Sequence, residues 1–464
     1  MERRDEKSPE HRSTTTMTLV EDSRSQGHRP GASAARRVPA PTRRRAPLDD
    51  PAADLRDEIA FAGGMPELPD KIWFHKTAAA VIDAGRCVGC GGCIAACPSR
   101  SIGVAEDGKP TLVKMCTGCS ACWDYCPLAG LRTEALHASG AGSATANGAK
   151  ESAAANGMPV SIELGRIDSA WSAAGRANAA GVQDGGAVTA LLCRLLETGF
   201  LDGAIVTRRV DAFHGEPFLA TSPDEVRAAA GSVYHQSHPL KVLNERLPMG
   251  VERIGFVGTP CQISVLRALQ RFPWKYRRSS AGAVVLAIGL FCTRSFDPDM
   301  LEEALRAAGV ATSEAARVDV RGGNLVVRSA STELVRRPVK EFHAAGLKGC
   351  DECADFTGLG ADLAVGNLAS DPDRSTVLVR TEAGRHAWAA ASEALDVDPL
   401  TDLTPVVRTV ARDRTRALRS LARPFDPDGS LWTSYTQHLD LYEDTTRSVQ
   451  APAEFRSHHF EVTC

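Results

Sequence analysis

The sequence predicts an α/β protein: a mixed α/β domain over 161–425, preceded by a small α+β, cysteine-rich domain over 69–136. Three observations lead there. Apolar, β-branched runs alternate with amphipathic helical stretches through most of the chain. Eight cysteines fall in two tandem runs of one spacing, "CVGCGGCIAACP" and "CTGCSACWDYCP". Between the two regions lies "ASGAGSATANGAKESAAANG" (138–157), which has almost nothing to bury and reads as part of a flexible linker over 137–160.

Residues 1–68 are rich in Arg, Ser, Pro and Ala, with "AARRVPAPTRRR" the most basic stretch, and read as a disordered tail. Strands are expected at 203–207, 253–257, 283–290, 317–320, 325–327, 362–365 and 376–379. Helices are expected at 186–198, 223–230, 262–270, 299–308 and 384–394. The last segment, 426–464, reads as a half-ordered extension.

With 464 residues, 43% of them apolar and 24% charged, the chain has the composition of a globular protein of two or three domains. A formal net charge of −3 argues against a nucleic-acid-coating surface. The longest apolar run, "AGAVVLAIGLFC", suits a buried strand and is too short to span a bilayer. No secretory apolar segment is recognisable, so a cytoplasmic location with reduced thiols is expected.

Each cysteine run obeys C-x2-C-x2-C-x3-C-P. Thiolates at this spacing wrap three corners of an iron–sulfur cubane, while the small residues Gly89, Gly91, Gly92, Gly118 and Ser120 let backbone N–H groups approach sulfur. The fourth cysteine of each run serves the other cluster. One cluster is therefore expected on Cys87, Cys90, Cys93 and Cys126, and the other on Cys116, Cys119, Cys122 and Cys97. Zinc rarely needs eight cysteines in this form. Between the runs, "SIGVAEDGKPTLV" reads as a hairpin with an Asp-Gly turn, completing a bacterial-ferredoxin-like unit.

Six cysteines remain. Cys193 falls in the apolar helical pattern "AVTALLCRLLETG" and reads as core, and Cys464 ends the chain. The other four sit at element ends. Cys261 opens a helix behind Thr259 as cap and Pro260 as first helical residue, where the positive helix end favours a thiolate. Cys292 ends the run "VVLAIGLFC", and Cys350 and Cys353 form a C-x2-C pair. Four thiolates are the full ligand set of a cubane or of a structural zinc.

"LGRIDSAWSAAGRA", "QDGGAVTALLCRLLETGFLDGAIVTR", "AAGSVYHQS", "RIGFVGTPCQISVLRAL", "GLKGCDECADFTGLGADLAVGN" and "STVLVRTEAGR" together resemble the coenzyme F420 hydrogenase/dehydrogenase beta-subunit family. The resemblance covers about 161–395, and a ferredoxin unit in front is a common fusion in that family. It implies an FAD-binding oxidoreductase with a third 4Fe-4S cluster on Cys261, Cys292, Cys350 and Cys353, exchanging hydride with the deazaflavin coenzyme F420. Electrons would then pass to ferredoxin or to a hydrogenase- or dehydrogenase-type subunit. Relatives instead reduce tetrapyrroles or vinyl groups with electrons from ferredoxin, and a relay subunit without its own substrate is a further reading.

The flavin contacts implied are Gly185, Gly186, Thr189, Ser232, Tyr234, Thr259 and Pro260. Gly185 and Gly186 precede a helix whose free N–H groups suit a pyrophosphate, as a plain helix start also would. Tyr234 reads equally as core. His235 and His238 read as solvated loop residues. One departure stands out: where family members often carry Gly-Asp-x-Gly-Ser after the "ADLAVG" strand, this chain has "GNLAS", with Asn367 and Ala369 in place of the acid and the second glycine.

Overall fold

The computed structural model describes residues 72–134, 136, 164–177, 181–235, 237–271 and 279–421. The expected tail, linker and C-terminal extension lie outside them. The cysteine-rich unit opens with a helical turn, Phe74–Thr77, that continues as a π-turn over Ala78–Ile82. Two short helices follow equivalent cysteines, α1 (Gly92–Ala96) and α2 (Ala121–Asp124). Each is entered through a left-handed residue, Gly91 at φ 80 and Ser120 at φ 63, so the two cysteine runs fold alike. Between them β1 (Ile102–Val104) and β2 (Pro110–Leu112) pair antiparallel, with Gly103 opposite Thr111, as the Asp-Gly turn predicts.

In the large domain the strands are β3 (Ser169–Gly175), β4 (Gly203–Arg209), β5 (Gly215–Ala220), β6 (Ile254–Gly258), β7 (Val284–Leu290), β8 (Arg317–Arg321), β9 (Asn324–Arg328), β10 (Glu333–Pro338), β11 (Leu363–Gly366), β12 (Ser375–Val379) and β13 (Leu395–Pro399). The helices are α3 (Ala187–Glu197), α4 (Pro223–Ala228), α5 (Pro260–Arg271), α6 (Pro298–Ala307), α7 (Glu382–Ala391) and α8 (Thr404–Ser420). Eight strands form one mixed sheet in the order β13-β3-β12-β11-β7-β6-β4-β5, and β10-β9-β8 form a small antiparallel one.

At the centre of the large sheet, β4, β6, β7 and β11 run parallel. Both faces are covered there, which is why "IGFVG" and "VVLAIGL" read as near-continuous apolar runs. Phe256 and Ala287 pack with Ile263, Val265 and Leu266 of α5, while Leu286 and Ile288 pack with Leu191 and Leu195 of α3 and Trp388 of α7. The carboxyl ends of β6, β7 and β11 thus open into one region, where open α/β sheets hold their ligands.

The cysteine-rich unit is docked on this domain. A buried apolar cluster joins Ala95, Ala96, Tyr125 and Leu131 to Leu240, Leu243, Ile263 and Val265. His238 N–H donates to Gly89 O at 2.9 Å, and Asn244 Nδ2 donates to Ile94 O at 3.0 Å. Gly349 closes the seam: a Cβ there would lie 2.0 Å from Arg86 O. The two units expected on either side of the linker are thus packed against each other through this buried cluster.

Candidate redox site

Burial and repulsion from nearby sulfurs raise most of the predicted ligand thiols. Burial, then the nearby Cys126 and Cys87 sulfurs, push the Cys90 thiol well up; Cys93 is raised by burial and by Cys90 and Cys87. Cys126 is pushed up to about 12 by burial, with Cys87 adding to it. Burial and then Cys119, Cys116 and Cys97 raise Cys122, and Cys119 is pushed up to about 11 by burial with Cys97 and Cys116 beside it. Burial and then Cys350 and Cys353 raise Cys292, while Cys261 is raised by burial and by Cys90, Cys353 and Cys292. The thiols raised together in this way fall into three groups.

The thiols of different quartets also pack together: Cys93 shares an apolar cluster with Cys97, Cys116 and Cys122. One apolar cluster holds Cys87, Cys90, Cys126, Cys261 and Cys350 together.

The surroundings fit cubanes. Backbone N–H groups donate to sulfur from Gly89 to Cys87, Gly92 to Cys90 and Gly118 to Cys116, each at 3.4 Å, and from Ser101 to Cys97 at 3.3 Å. Ser295 N–H reaches Cys350 Sγ at 3.4 Å. Among the described residues no three Cys, His, Asp or Glu side chains converge on a single-ion position. Thiols buried this way resist ionising unless cations sit among them, which the iron of a bound cluster would supply.

Beyond the strand ends lies a cavity of about 800 Å³. Its wall includes Gly186 and Thr189 of the α3 start, Ser232, Tyr234, Thr259, Cys292 and Asn367. Cys292 is thus common to the third quartet and the cavity. The α3 first turn presents N–H groups with no helix acceptor, and Gln183 Oε1 is buried in the wall without a hydrogen-bond partner. Arg294, Lys340, Arg412 and Arg416 add cations. These features suit a phosphate-bearing cofactor.

Some predicted roles change. Gly185 does not line the cavity; a Cβ there would stand 2.3 Å from Ala173 O and 2.7 Å from Ser375 N, so its place is a close approach of loop to sheet. Pro260 starts α5 as expected and is buried. Thr259 does not cap with its hydroxyl, which lies 3.3 Å from Cys261 Sγ; its N–H instead donates to Gln262 Oε1 at 2.8 Å. The Tyr234 hydroxyl accepts from Gln183 Nε2 at 2.5 Å and Val320 N–H at 3.0 Å, and burial pushes its pKa up to about 12. Neither histidine is solvated. His235 Nε2 accepts from Gly215 N–H at 3.0 Å, and burial pulls the ring down to about 4, whereas His238 Nε2 meets Gly108 O of the ferredoxin-like hairpin at 2.6 Å. Asn367 hydrogen-bonds the half-buried Asp184, whose carboxyl burial raises, and Ala369 adopts φ 78, a conformation that suits the glycine it replaces.

Sequence reasoning missed Arg416. From α8 its Nη2 donates to Thr293 O and Cys350 O, each at 3.3 Å, bridging two loops of the third quartet. The apolar spacing of Val406, Val410 and Ala417 was the available signal for that helix.

A parallel sheet core with thiol quartets beyond its strand ends, beside a cofactor-sized cavity, defines an iron–sulfur oxidoreductase. Residues 251–402 match the carboxyl-terminal part of the coenzyme F420 hydrogenase/dehydrogenase beta subunit, 170–244 match its amino-terminal part, and 79–127 match a 4Fe-4S dicluster domain. The chain belongs to the coenzyme F420 hydrogenase/dehydrogenase beta-subunit family. It is 32% identical to the coenzyme F420 hydrogenase subunit beta of Methanococcus voltae, over 44% of this chain and 72% of that protein. It is 30% identical to the coenzyme F420-dependent sulfite reductase of Methanocaldococcus jannaschii, over 66% of this chain and 46% of that protein. A chain of the F420-reducing NiFe hydrogenase complex from Methanosarcina barkeri superposes with TM-score 0.53 at 26% identity, covering 57% of this chain and 94% of that one. Among the described residues no helix is long and apolar enough to cross a membrane.

Proposed function

We propose that this protein is an FAD- and iron–sulfur-dependent oxidoreductase that moves electrons between coenzyme F420 and ferredoxin or a partner redox subunit through three 4Fe-4S clusters. The observation that carries the reading is Cys292, which lines the cavity, because a cluster held on the third quartet would then stand beside the space for an organic cofactor. A flavin held in this cavity would supply hydride exchange with the deazaflavin and release of electrons one at a time, and cubanes on the thiol quartets would supply single-electron transfer.

The chain's own residues bind, orient and insulate. The α3 start and Gln183 suit the flavin's polar groups, with Thr189, Ser232, Tyr234 and Thr259 in the same wall. The cations of Lys340 and Arg412 suit an anionic co-substrate. Arg416 holds the loops of Cys292 and Cys350 in register. Reduced coenzyme F420 mixed anaerobically with FAD-loaded enzyme should regain its oxidised absorbance while the flavin bleaches. An unchanged spectrum from enzyme that dithionite does reduce would overturn this reading in favour of a ferredoxin-driven reductase.

A further inference from the structure

The order of the quartets gives the relay two ends. Cys292 of the third quartet lines the cavity, Cys261 and Cys350 of that quartet pack in one apolar cluster with Cys87, Cys90 and Cys126 of the first, and Cys93 of the first packs in another with Cys97, Cys116 and Cys122 of the second, which lies farthest along. Electrons that leave by the relay leave from the second.

The surface over that quartet is unusual. Five of the nine exposed large apolar side chains among the described residues fall within 73–115, and the other four are scattered. Met115 is 90% exposed, Val113 59% and Trp73 40%. All three are built onto the second quartet. The Trp73 ring lies against Gly118, where a Cβ would come within 2.9 Å of it. Met115 immediately precedes Cys116, and its carbonyl accepts from Ser101 Oγ at 2.8 Å while Ser101 N–H donates to Cys97 Sγ. Val113 N–H donates to Ser101 O at 2.9 Å. Grouped exposed apolar surface marks a binding face, whereas single exposed side chains do not.

Charge selects the occupant. Lys114 stands between Val113 and Met115, Arg100 N–H donates to Cys97 O, and Lys76 N–H donates to Trp73 O; all three side chains are exposed, and none is ion-paired among the described residues. The acidic residues of this unit's hairpin, Glu106 and Asp107, immediately precede Gly108 at the other end, which His238 holds against the large domain. The basic stretch "AARRVPAPTRRR" of the same chain is repelled by such a surface.

We infer that the face formed by Trp73, Val113 and Met115, ringed by Lys76, Arg100 and Lys114, docks an acidic one-electron carrier protein. The inference rests on the relay reading of the proposed function but not on its deazaflavin substrate. In the step, one electron leaves the reduced second cluster and reduces the oxidised carrier by one; no atom or proton is transferred.

The test bypasses the cavity. The full-length holoprotein is reduced with dithionite, freed of excess reductant and mixed in stopped flow with an oxidised acidic two-cluster bacterial ferredoxin, or with methyl viologen as a small control. The second-order rate to ferredoxin should fall as salt rises, and Lys114→Glu and Lys76→Glu should each lower it about tenfold at low salt, with iron content and viologen rate unchanged. Met115→Asp should do the same through the apolar face. Rates to ferredoxin that ignore both salt and all three substitutions overturn the inference. So does a marked acceleration on removal of 422–464, which would make that acidic segment the occupant of the face. Failure of deazaflavin oxidation with these results intact would strike the proposed substrate alone.

Discussion

Glu352→Gln tests how firmly the ferredoxin-like unit is seated. Arg86 Nε and Nη2 donate to the two Glu352 oxygens at 2.6 and 2.7 Å, and both side chains are almost fully buried, at 7% and 5% exposure. The same guanidinium donates to Ala80 O and Leu128 O at 2.8 Å, so it anchors the turn before Cys87 to the loop before Cys353. Removing one charge from a buried bidentate pair costs about 3–5 kcal/mol, or roughly two to three and a half powers of ten in the opening equilibrium of the seam. Hydrogen exchange over 237–244 reads that opening, because His238 N–H and Leu240 N–H bond to Gly89 O and Cys90 O. The double variant Arg86→Met/Glu352→Met should regain most of the protection, since an apolar pair of similar volume is often neutral where half an ion pair is not. Unchanged protection in Glu352→Gln, or a double variant as open as the single, would refute the reasoning.

Cys261→Ser or Cys353→Ser should reduce about twelve iron atoms per chain to about eight, by metal analysis of anaerobically purified protein, and leave the twin-cluster signal; full iron in both would remove the third site. Gly91→Ala should speed exchange over 237–244, because Gly91 has φ 80, a conformation costing other residues about 1–2 kcal/mol. Its Cβ would also stand 2.9 Å from His238 O. His235 is held neutral, pulled down to about 4 by burial against an ordinary 6.5. Its contribution is therefore complete above about pH 6.5 and lost as pH falls toward 4. His235→Gln should flatten that part of the stability–pH curve, measured by denaturant unfolding at fixed pH. A fragment beginning at Ser161 should fail to fold or should expose apolar surface to a dye, since it strips the cover from Leu240, Ile263 and Val265.

Much of this was legible in the residues. Buried parallel strands such as β6 and β7 announce themselves because both faces are apolar, and α4 and α7 carry the Ser222 and Thr381 caps that mark a helix start. Strands β5, β10 and β13 were not anticipated. Each pairs on one side only, and "ELVRRP" or "LDVDP" needs no apolar run at an edge. β3 was missed for another reason: in "SAWSAAG" the small residues fill a crowded position between β12 and β13 without a strand-like composition. At the site, cysteine spacing is set by cluster geometry and survives in one dimension. The order of the quartets is not so encoded, because it depends on a seam that joins residues such as Arg86 and Glu352 from distant parts of the chain. The displacement of Gly185 from the cavity and the turn of the Thr259 hydroxyl toward Cys261 likewise depend on what packs against them.

The seam at Gly349 makes the ferredoxin-like unit a soldered component of this molecule. With Arg86 O so close to the Gly349 Cα that no side chain fits between them, transfer between the first and third quartets has no encounter step to wait for. Its rate should not respond to solvent viscosity or to lengthening of 137–160. For the same reason a ferredoxin domain grafted from another protein, matched in every cysteine, would not be wired in unless it also brought a backbone that fits against glycine there.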